Sequence, residues 1–521
     1  MSLPRTKRLR TRRSAAQRLP AAGPEREALR AKGQFWTPEW VAQAMVAYVV
    51  EGGGRTVFDP AVGTGAFLQA GKSLQPVIGR AVRFAGREVD AGVLEAGHGL
   101  GLSREDLAGV ELRDFLRDPP TQAFPAIVAN PPYIRHHRLP TALKRDLRAF
   151  GASLLGAPLD GRAGLHVYFL LRALTLLGPG GRLAFIVPAD TCEGISADRL
   201  WQWIAGRYRL DAVITFSPEA SPFPGVDTNS VVLMIRNAGA TSTFRWARCK
   251  TAGSDALLRW VLSGFARAPD ASLEVLVREL AEGLATGLTR PATSSPADGP
   301  TLGEFAIVMR GIATGANDFF HLTEARARSL GIPPQFLLPA VARTRDVPGD
   351  VLDDQTLEAL AATGRPTLLL CLDGRPRSRF PAAVQAYLDE GERRGLPHRP
   401  LIATRRPWYR MEERRPPPIL FAYLGRRNAR FIANRAQAVP LTGFLCVYPR
   451  QDRCARVEDL WEVLSDAQTL ANLPLVGKSY GGGAIKVEPR ALERLRLPEE
   501  VVRRVGLRPV DGGLQPVLPL D

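Results

Sequence analysis

The residues Asn130-Pro131-Pro132-Tyr133 combine polar acceptors with an aromatic ring just after a short apolar run, residues 126–129. The asparagine offers an amide oxygen, and the first proline offers a carbonyl on a residue without an N–H to compete for partners. Two acceptors held side by side suit an exocyclic NH₂ group, and the tyrosine adds a face for stacking a planar base. The alternative is an ordinary proline-rich turn. The surrounding sequence elements are therefore needed to distinguish a base-binding loop from an ordinary turn.

A second group of candidate residues follows a predicted strand at residues 56–58, where Asp59 precedes the turn Gly63-Thr64-Gly65. Strand, glycine-rich turn and helix in this order form the nucleotide-binding corner of a doubly wound α/β sheet, since glycines let a ligand approach the backbone. The turn lacks the spacing of the dinucleotide fingerprint, and an acid at the strand end would repel a phosphate. We therefore expect a ligand with positive charge, such as the amino and sulfonium groups of S-adenosylmethionine.

Two more acids follow the next predicted strands. Glu88 lies about 25 residues past the glycine turn, where a carboxylate typically holds a ribose diol, and Asp90 is the alternative for this role. Asp114 can accept from an adenine amino group, and Phe115 can pack on the ring. A surface aspartate beside a core phenylalanine is the other interpretation. The loop at Asn130 ends the fourth strand, so all these groups are expected at one edge of the sheet.

A helix is predicted behind the segment Thr37-Pro38, with threonine as N-cap and proline at the first helical position. The first amides of such a helix, together with the threonine hydroxyl, can hold a carboxylate. Simple capping is the alternative role for Thr37.

In order and spacing, these elements resemble the motifs of the amino-methylating DNA adenine methyltransferases, and the cofactor-first order resembles their gamma class, of the TaqI or Eco57I type. The resemblance covers about residues 30–240. It implies a Rossmann-like, class I S-adenosylmethionine-dependent methyltransferase domain with a mostly parallel seven-stranded sheet, followed by an α+β target-recognition domain. The residues that carry it are Thr37, Pro38, Asp59, Pro60, Ala61, Gly63, Gly65, Phe67, Leu68, Glu88, Asp114, Phe115, Asn130, Pro131, Pro132 and Tyr133.

The resemblance also implies roles for these residues. Besides the residues already discussed, Ala61 and Phe67 would bind the cofactor, and the Asn130–Tyr133 loop would be catalytic. In similar enzymes an aromatic residue of a later loop stacks on the flipped adenine, and here that residue would be Phe223. A loop phenylalanine that fills the core is the alternative.

The chain is long enough for two or three domains. We expect a disordered basic arm at 1–25, the catalytic domain at 26–245, a helical connector with a polar linker at 246–300, and a C-terminal DNA target-recognition domain at 301–521. Basic, aromatic and glycine-rich segments of the C-terminal part suit phosphate and base-edge contacts. The candidates for DNA binding are Arg310, Thr314, Asn317, Arg405, Arg406, Trp408, Arg426, Arg427, Lys478, Tyr480 and Lys486.

The composition agrees with a nucleic-acid partner. The formal net charge is +17, which favours a polyanion, although an arginine-rich genome composition would give the same surplus. The five cysteines are far apart, with no zinc-ligand spacing, so we expect no metal site and a reducing cytosol. The resemblance implies that this cytosol is bacterial. No apolar run approaches the length of a membrane span. We expect a monomer acting on double-stranded DNA.

Three other functions are compatible with parts of this pattern. A similar loop occurs in protein glutamine and rRNA guanine methyltransferases, against which the Thr37-Pro38 element and the basic C-terminal half argue. An inactive DNA-binding relative is disfavoured because every motif position carries a competent residue. A fused nuclease lacks support, because no lysine lies two residues after an acid. Any restriction endonuclease of the same restriction–modification system should therefore be a separate protein.

Overall fold

The computed structural model describes residues 33–161, 163–193, 197–224, 226, 229–266, 270–291, 299–422, 429–454, 456–480 and 484–508. The chain divides into two compact units, Met1–Thr293 with Tyr480–Gly483, and Ser294–Ser479 with Ala484–Asp521. The predicted basic arm at 1–25 lies outside the described residues.

A nine-stranded sheet forms the centre of the first unit, in the order β3-β2-β1-β4-β5-β7-β6-β8-β9. Strands β7 and β9 run opposite to the other seven. The strands are β1 (Thr56–Asp59), β2 (Arg83–Glu88), β3 (Val110–Leu112), β4 (Phe124–Ala129), β5 (Leu177–Pro188), β6 (Arg209–Phe216), β7 (Ser230–Arg236), β8 (Thr243–Cys249) and β9 (Leu273–Glu279).

The predicted fold class is confirmed, and the sheet is two strands wider than predicted. The segment predicted as a helical connector, 246–300, contributes to β8 and supplies β9, so that prediction is corrected. In β8 the aromatic residues Phe244 and Trp246 are buried and alternate with arginines. This alternation is the pattern of a strand, but the arginines made the segment look like a solvated connector.

Helices cover both faces of this sheet. They are α1 (Glu39–Glu51), α2 (Ala66–Ile78), α3 (Ala91–Gly99), α4 (Thr141–Leu155), α5 (Leu165–Thr175), α6 (Asp190–Glu193), α7 (Ala197–Ala205), α8 (Ala256–Leu262) and α9 (Leu280–Thr286), with short 3₁₀ turns at His136–Arg138 and Pro218–Ala220. Successive residues of the central strands face opposite cores: Ile127 belongs to one and Val128 to the other. Burial on both faces explains why these strands read as continuous apolar runs.

The helix behind Thr37 begins one residue later than predicted. Pro38 is the N-cap of α1, and Thr37 precedes it. Residues 41–50 are all buried, because α1 packs between the sheet and the helices α2 and α8. A helix that is buried all round carries no polar face, and α1 accordingly fixes the Thr37 segment against the sheet.

The second unit contains two larger sheets, in the orders β10-β18-β15-β16-β13 and β11-β14-β12-β17, and a β19-β20 pair. Its strands are β10 (Ala306–Arg310), β11 (His321–Leu322), β12 (Leu337–Val341), β13 (Val351–Leu352), β14 (Leu368–Leu370), β15 (Ile419–Ala422), β16 (Arg430–Asn434), β17 (Val439–Pro440), β18 (Phe444–Pro449), β19 (Lys478–Tyr480) and β20 (Ala484–Lys486). Its helices are α10 (Leu302–Phe305), α11 (Asn317–Phe320), α12 (Glu324–Ser329), α13 (Asp354–Ala362), α14 (Ala382–Arg393), α15 (Val457–Ser465), α16 (Ala467–Val476), α17 (Pro489–Glu493) and α18 (Glu499–Arg504). Mixed helix and strand agree with the α+β class predicted for this region.

Candidate active site

A cavity of about 1100 Å³, counting its open mouth, lies at the carboxyl ends of β1, β2 and β4. This edge is where parallel sheets bind ligands. Nine predicted site residues line the cavity, namely Thr37, Ala61, Gly63, Phe67, Glu88, Asp114, Phe115, Asn130 and Pro132. The other predicted site residues of this unit, Asp59, Gly65, Pro131, Tyr133 and Phe223, are not among the lining residues.

The side-chain amide of Asn130 is held at its nitrogen end. Nδ2 donates to the carbonyl of Phe35 at 2.6 Å and to Oγ1 of Thr37 at 3.1 Å. Among the described residues no donor is bonded to Oδ1, the only acceptor of the group. The two bonds at nitrogen fix the orientation of the amide and leave its oxygen available to an N–H group at the cavity.

The loop that carries Asn130 is clamped by the segment before α1. The backbone N–H of Tyr133 donates to the carbonyl of Gly33 at 3.1 Å. Gly33 has φ +62°, and a Cβ on it would lie 2.7 Å from the nitrogen of Tyr133. Only glycine fits this close approach without displacement of the loop.

Three aromatic rings pack together behind the loop. Tyr133 lies 5.6 Å from Phe35 and 6.2 Å from Phe223, measured between ring centroids. The hydroxyl of Tyr133 donates to the carbonyl of Ile186 at 3.1 Å, and burial raises the pKa of this phenol well above its usual range. Tyr133 therefore braces the loop through both its ring and its hydroxyl.

The prediction for Phe223 needs correction. Its side chain is 5 % exposed and belongs to the core cluster on one face of the sheet. The ring packs 5.7 Å from Phe35 rather than facing the cavity. Core burial stabilises a loop phenylalanine by about as much free energy as stacking on a base. In this structure Phe223 is buried in the core.

The glycine turn after β1 has the predicted open backbone. Gly63 and Gly65 have φ +56° and +80°, in the left-handed region that favours glycine. The N–H of Gly63 donates to Glu88 Oε2 at 2.8 Å. The turn is thereby tied to the end of β2 and lies along the cavity wall.

Asp59, the last residue of β1, is fully buried. Its Oδ1 accepts from the N–H of Ala61 at 3.0 Å, whereas Oδ2 has no hydrogen-bond partner among the described residues. Burial raises the pKa of this carboxyl to about 8; the Ala61 N–H opposes the shift, and the nearby charge of Glu88 adds to it. A buried acceptor without a partner is costly unless a ligand supplies one, so Asp59 suits a cationic group.

Glu88, at the end of β2, is more completely bonded. Oε2 receives the Gly63 N–H, and Oε1 receives the N–H groups of Val89 and Asp90 at 2.8 and 3.0 Å. Asp90, the alternative ribose ligand, instead caps α3 by accepting from Gly92 at 3.0 Å. Because Glu88 lines the cavity and Asp90 does not, Glu88 remains the better candidate.

Asp114 and Phe115 form another wall of the cavity. Oδ1 of Asp114 accepts from the N–H groups of Leu116 and Arg117 at 2.9 and 3.2 Å. Phe115 is buried and packs 5.3 Å from Phe169. One carboxylate oxygen of Asp114 therefore orders the turn, while the other, among the described residues, forms only a 3.9 Å ion pair with Arg117.

Sequence reasoning missed Phe35 and Gly33. Phe35 acts through its backbone carbonyl, and Gly33 through a contact with the loop 100 residues later. The only available signal was the position of both residues directly before Thr37, since a carbonyl bond leaves no trace in residue type.

Among the DNA-binding candidates, Thr314 needs correction. It is 1 % exposed, its Oγ1 bonds Asn317 Oδ1, and it accepts from the N–H of Ala316 at 3.1 Å. Its side chain holds the turn before α11. Asn317 itself is exposed.

The other described candidates differ in exposure and in the hydrogen bonds and ion pairs that they form within the protein. Arg405 donates to the carbonyls of Ala313 and Thr314 at 2.6 and 2.9 Å, and Trp408 packs against Phe319. Arg310 is exposed but forms an ion pair with Glu488, while Arg406, also exposed, donates to two neighbouring carbonyls. The candidates Arg426 and Arg427 lie outside the described residues, as do the side chains of Lys478, Tyr480 and Lys486.

Within the part of the chain that the structure describes, no cluster of histidine, cysteine or acidic residues could hold a metal ion. None of the described helices is long and apolar enough to cross a membrane.

Two family descriptions match consecutive parts of the chain. Residues 25–219 match the family N-6 DNA Methylase, and residues 292–514 match the C-terminal domain of the type II methyltransferase M.Eco57I. The first match contains every predicted catalytic and cofactor residue except Phe223. The second contains all the DNA-binding candidates.

Similar proteins span nearly the whole chain. The type II methyltransferase M.AccI of Acinetobacter calcoaceticus is 23 % identical over 466 residues, which cover 88 % of this chain and 84 % of that protein. The type II methyltransferase M.XamI of Xanthomonas campestris pv. amaranthicola is 26 % identical over 478 residues, covering 89 % and 85 %.

Among solved structures, the type IIL restriction–modification enzyme MmeI in complex with DNA has a similar fold. The TM-score is 0.53 at 14 % sequence identity, and the match covers 88 % of this chain and 64 % of that chain. The strand-end site, the two family matches and the type II methyltransferase relatives agree with one another, and together they support a gamma-class N6-adenine DNA methyltransferase of a restriction–modification system.

Proposed function

We propose that this chain transfers a methyl group from S-adenosylmethionine to N6 of an adenine that is extruded from double-stranded DNA, as the modification component of a restriction–modification system. The observation that carries the proposal is the Asn130 amide, whose nitrogen is bonded on the protein side while its oxygen is left for a ligand N–H. The family matches and the type II methyltransferase relatives supply the substrate class.

The cavity fits the proposed cofactor. The unpartnered Oδ2 of Asp59 suits its cationic part, and Glu88, with acceptor capacity left on its two oxygens, suits a ribose diol. Asp114 and Phe115 would hold the adenine ring between a carboxylate and an aromatic face. When bound, S-adenosylmethionine supplies an electrophilic methyl group on its sulfonium.

The amino nitrogen of adenine is a poor nucleophile because its lone pair is delocalised into the ring. Oδ1 of Asn130 and the carbonyl of Pro131 would accept its two N–H groups, which localises the lone pair and directs it at the methyl group. Catalysis then rests mainly on positioning by preorganised acceptors. Because the target atom is inaccessible inside a duplex, the base must be extruded, and Tyr133 is the aromatic residue of the catalytic loop beside which it would dock.

The proposal includes three expectations about context. The protein acts in the bacterial cytosol at the nucleoid, it acts as a monomer, and any cleaving partner is a separately encoded restriction endonuclease. The last expectation rests on the sequence, in which no lysine lies two residues after an acid.

The decisive experiment is methylated-base sequencing of DNA from cells that express the full chain, in a host without adenine methylation. We expect N6-methyladenine at one recurring sequence. In vitro, Asn130→Ala should reduce methyl incorporation into DNA by at least 10²–10³-fold, the usual effect of removing one preorganised polar group. Its affinity for S-adenosylmethionine should stay within about threefold of wild type.

Asn237→Ala is the matched control, because its amide also donates to a backbone carbonyl, that of Leu177, at 2.6 Å. It follows β7, which runs antiparallel, and therefore lies at the sheet edge opposite the cavity. Full activity of Asn130→Ala would refute the mechanism. Methylation of RNA or of a protein glutamine, with none of DNA, would refute the proposed substrate.

A further inference from the structure

The segment that follows the catalytic loop, residues 135–148, is strongly basic. It contains five arginine or lysine residues and one acid, Asp146. We call it the rim segment. It comprises the 3₁₀ turn His136–Arg138 and the first half of α4. Apart from the contacts to the extruded adenine, every DNA-binding residue predicted from the sequence lies in the C-terminal half, so this segment has no role in the proposed function.

The rim segment lies at the mouth of the cavity. Ile134 and Leu143 line the cavity, and Arg135 and Lys144 are the residues directly after them. The inner side of α4 is anchored by Leu147, which is buried. Lys144 and Arg148 therefore project from an ordered helix, and Arg135 directly precedes the 3₁₀ turn His136–Arg138.

Three of these cations are not neutralised by the protein. Among the described residues no carboxylate forms an ion pair with Arg135, Lys144 or Arg148, and Arg145 contacts only its neighbour Asp146, at 3.2 Å. The cations near the cofactor wall differ: Arg113 pairs with Asp118 at 2.7 Å. Uncompensated positive charge is thus concentrated on the side of the cavity that continues from Asn130.

A nucleotide extruded into the cavity stays attached to the phosphates on both sides of its sugar. If its base docks at Asn130, as the proposed function requires, those phosphates must lie close to the mouth. Lys144 and Arg148 are one helical turn apart and share a face. Their separation of about 6 Å along the axis compares with about 3.4 Å of duplex axis per phosphate on one strand, so they can face phosphates two nucleotides apart.

We propose that the rim segment binds the DNA backbone next to the extruded nucleotide, through Arg135, Lys144 and Arg148. This inference rests on the proposed function and adds a backbone-binding surface in the catalytic unit to the one expected in the C-terminal unit. Contacts of this kind position the duplex and carry no sequence information. The rim segment therefore supports binding to any sequence and aligns the target base with Asn130.

The test is the affinity of the full chain for a fluorescent 30-base-pair duplex of arbitrary sequence, measured by anisotropy over a series of KCl concentrations. The variant is Arg135→Ala, Lys144→Ala and Arg148→Ala combined. Each lost phosphate contact lowers the slope of log K against log salt by about 0.9. We expect the slope to fall by about 2–3 and the affinity at about 0.1 M KCl to drop at least about tenfold.

The control removes the same number of charges from the opposite sheet edge, by Arg55→Ala, Arg83→Ala and Arg207→Ala. Arg83 begins β2, and the other two precede β1 and β6, so all three lie at the amino ends of parallel strands. This control should change the slope by less than about 0.5 if affinity depends on contacts rather than on net charge. Swapping the rim residues between arginine and lysine should retain wild-type affinity.

Equal slopes for the rim variant and the control would overturn the inference. S-adenosylmethionine affinity within about threefold of wild type checks that the cavity is intact. If the triple variant loses this affinity for S-adenosylmethionine, the single variant Arg148→Ala replaces it, because Arg148 lies five residues beyond the cavity-lining Leu143. Arg148→Ala should lower the slope by about 0.9. An unchanged slope in Arg148→Ala would also overturn the inference. Failure of wild-type protein to methylate DNA would instead count against the proposed function.

Discussion

The strand-end groups of the first unit and the turn before α11 in the second unit are both polar and largely buried, yet their hydrogen-bonding capacity is used differently. Thr314 uses its hydroxyl within the turn, because Oγ1 donates to Oδ1 of Asn317 and accepts from the N–H of Ala316. Asp59 and Asn130 each keep one oxygen without a partner in the described chain; Asn130 lines the cavity, and Asp59 directly precedes the lining residue Pro60.

This difference distinguishes polar residues that stabilise the fold from polar residues that bind a ligand. A buried polar atom that the protein satisfies stabilises the fold, whereas one left unsatisfied lowers stability until a ligand arrives. Thr37 is an intermediate case, because its hydroxyl oxygen accepts from Asn130 while its proton has no acceptor among the described residues. Three predictions test whether this distinction is correct.

The largest effect is expected at Asp59. In the free protein burial keeps this carboxyl protonated below pH about 8, and a cationic ligand favours its ionised form. Affinity for S-adenosylmethionine should therefore rise as pH increases from 6 to 8, by up to about tenfold per unit, and level off above. Calorimetry in buffers of different ionisation enthalpy should detect proton release on binding at pH 7.

The variant Asp59→Asn tests whether this carboxyl causes the pH dependence. The variant should bind S-adenosylmethionine about 100-fold more weakly at pH 8, since a charge-assisted bond of a buried group is worth about 1.5–3 kcal/mol, and its affinity should not depend on pH. An unchanged pH profile in Asp59→Asn would mean that Oδ2 is not a ligand group.

A smaller effect is expected at Thr37. Thr37→Val removes one of the two bonds that hold the Asn130 amide, at a cost of about 1 kcal/mol, and should lower kcat about tenfold through misorientation. Thr37→Ser should restore kcat to within about twofold. If Thr37→Val instead raises only the KM for S-adenosylmethionine, the hydroxyl serves the cofactor alone, as the sequence had suggested.

The smallest effect on ligand binding, here on affinity for DNA, is expected for substitution of Thr314. Thr314→Val should destabilise the protein by about 1–2 kcal/mol in urea unfolding, because the turn loses its hydroxyl bonds. Affinity for the 30-base-pair duplex should not change. A weakened duplex affinity without a loss of stability would show that this buried side chain contacts DNA after all, and would remove the distinction drawn above.

The sequence predicted the strand ends well because each candidate there is fixed by a local pattern, an apolar run followed by a polar residue. It predicted Asn130 and Glu88 at one edge of the sheet, and the cavity joins them. It could not predict that Thr37 bonds Asn130, since the two residues are 93 positions apart and Thr37 also fits a helix cap.

Other errors have the same physical origin. Phe223 gains similar free energy from the core or from a base, so residue type alone does not decide its place. In the second unit an arginine that bonds a carbonyl, such as Arg405, looks in sequence like one that awaits a phosphate. The extra strands β8 and β9 were missed because partly buried arginines interrupt the apolar pattern of β8.

The close contact of Gly33 with Tyr133 has a practical consequence for anyone who shortens this protein. A version that starts at Glu39 would retain α1 and the whole nine-stranded sheet, and would be expected to pass ordinary tests of folding. It would lack the carbonyls of Gly33 and Phe35, so its Asn130 amide could rotate. A well-behaved but inactive truncation is therefore the expected product, and loss of activity in such a version would say nothing about the rest of the enzyme.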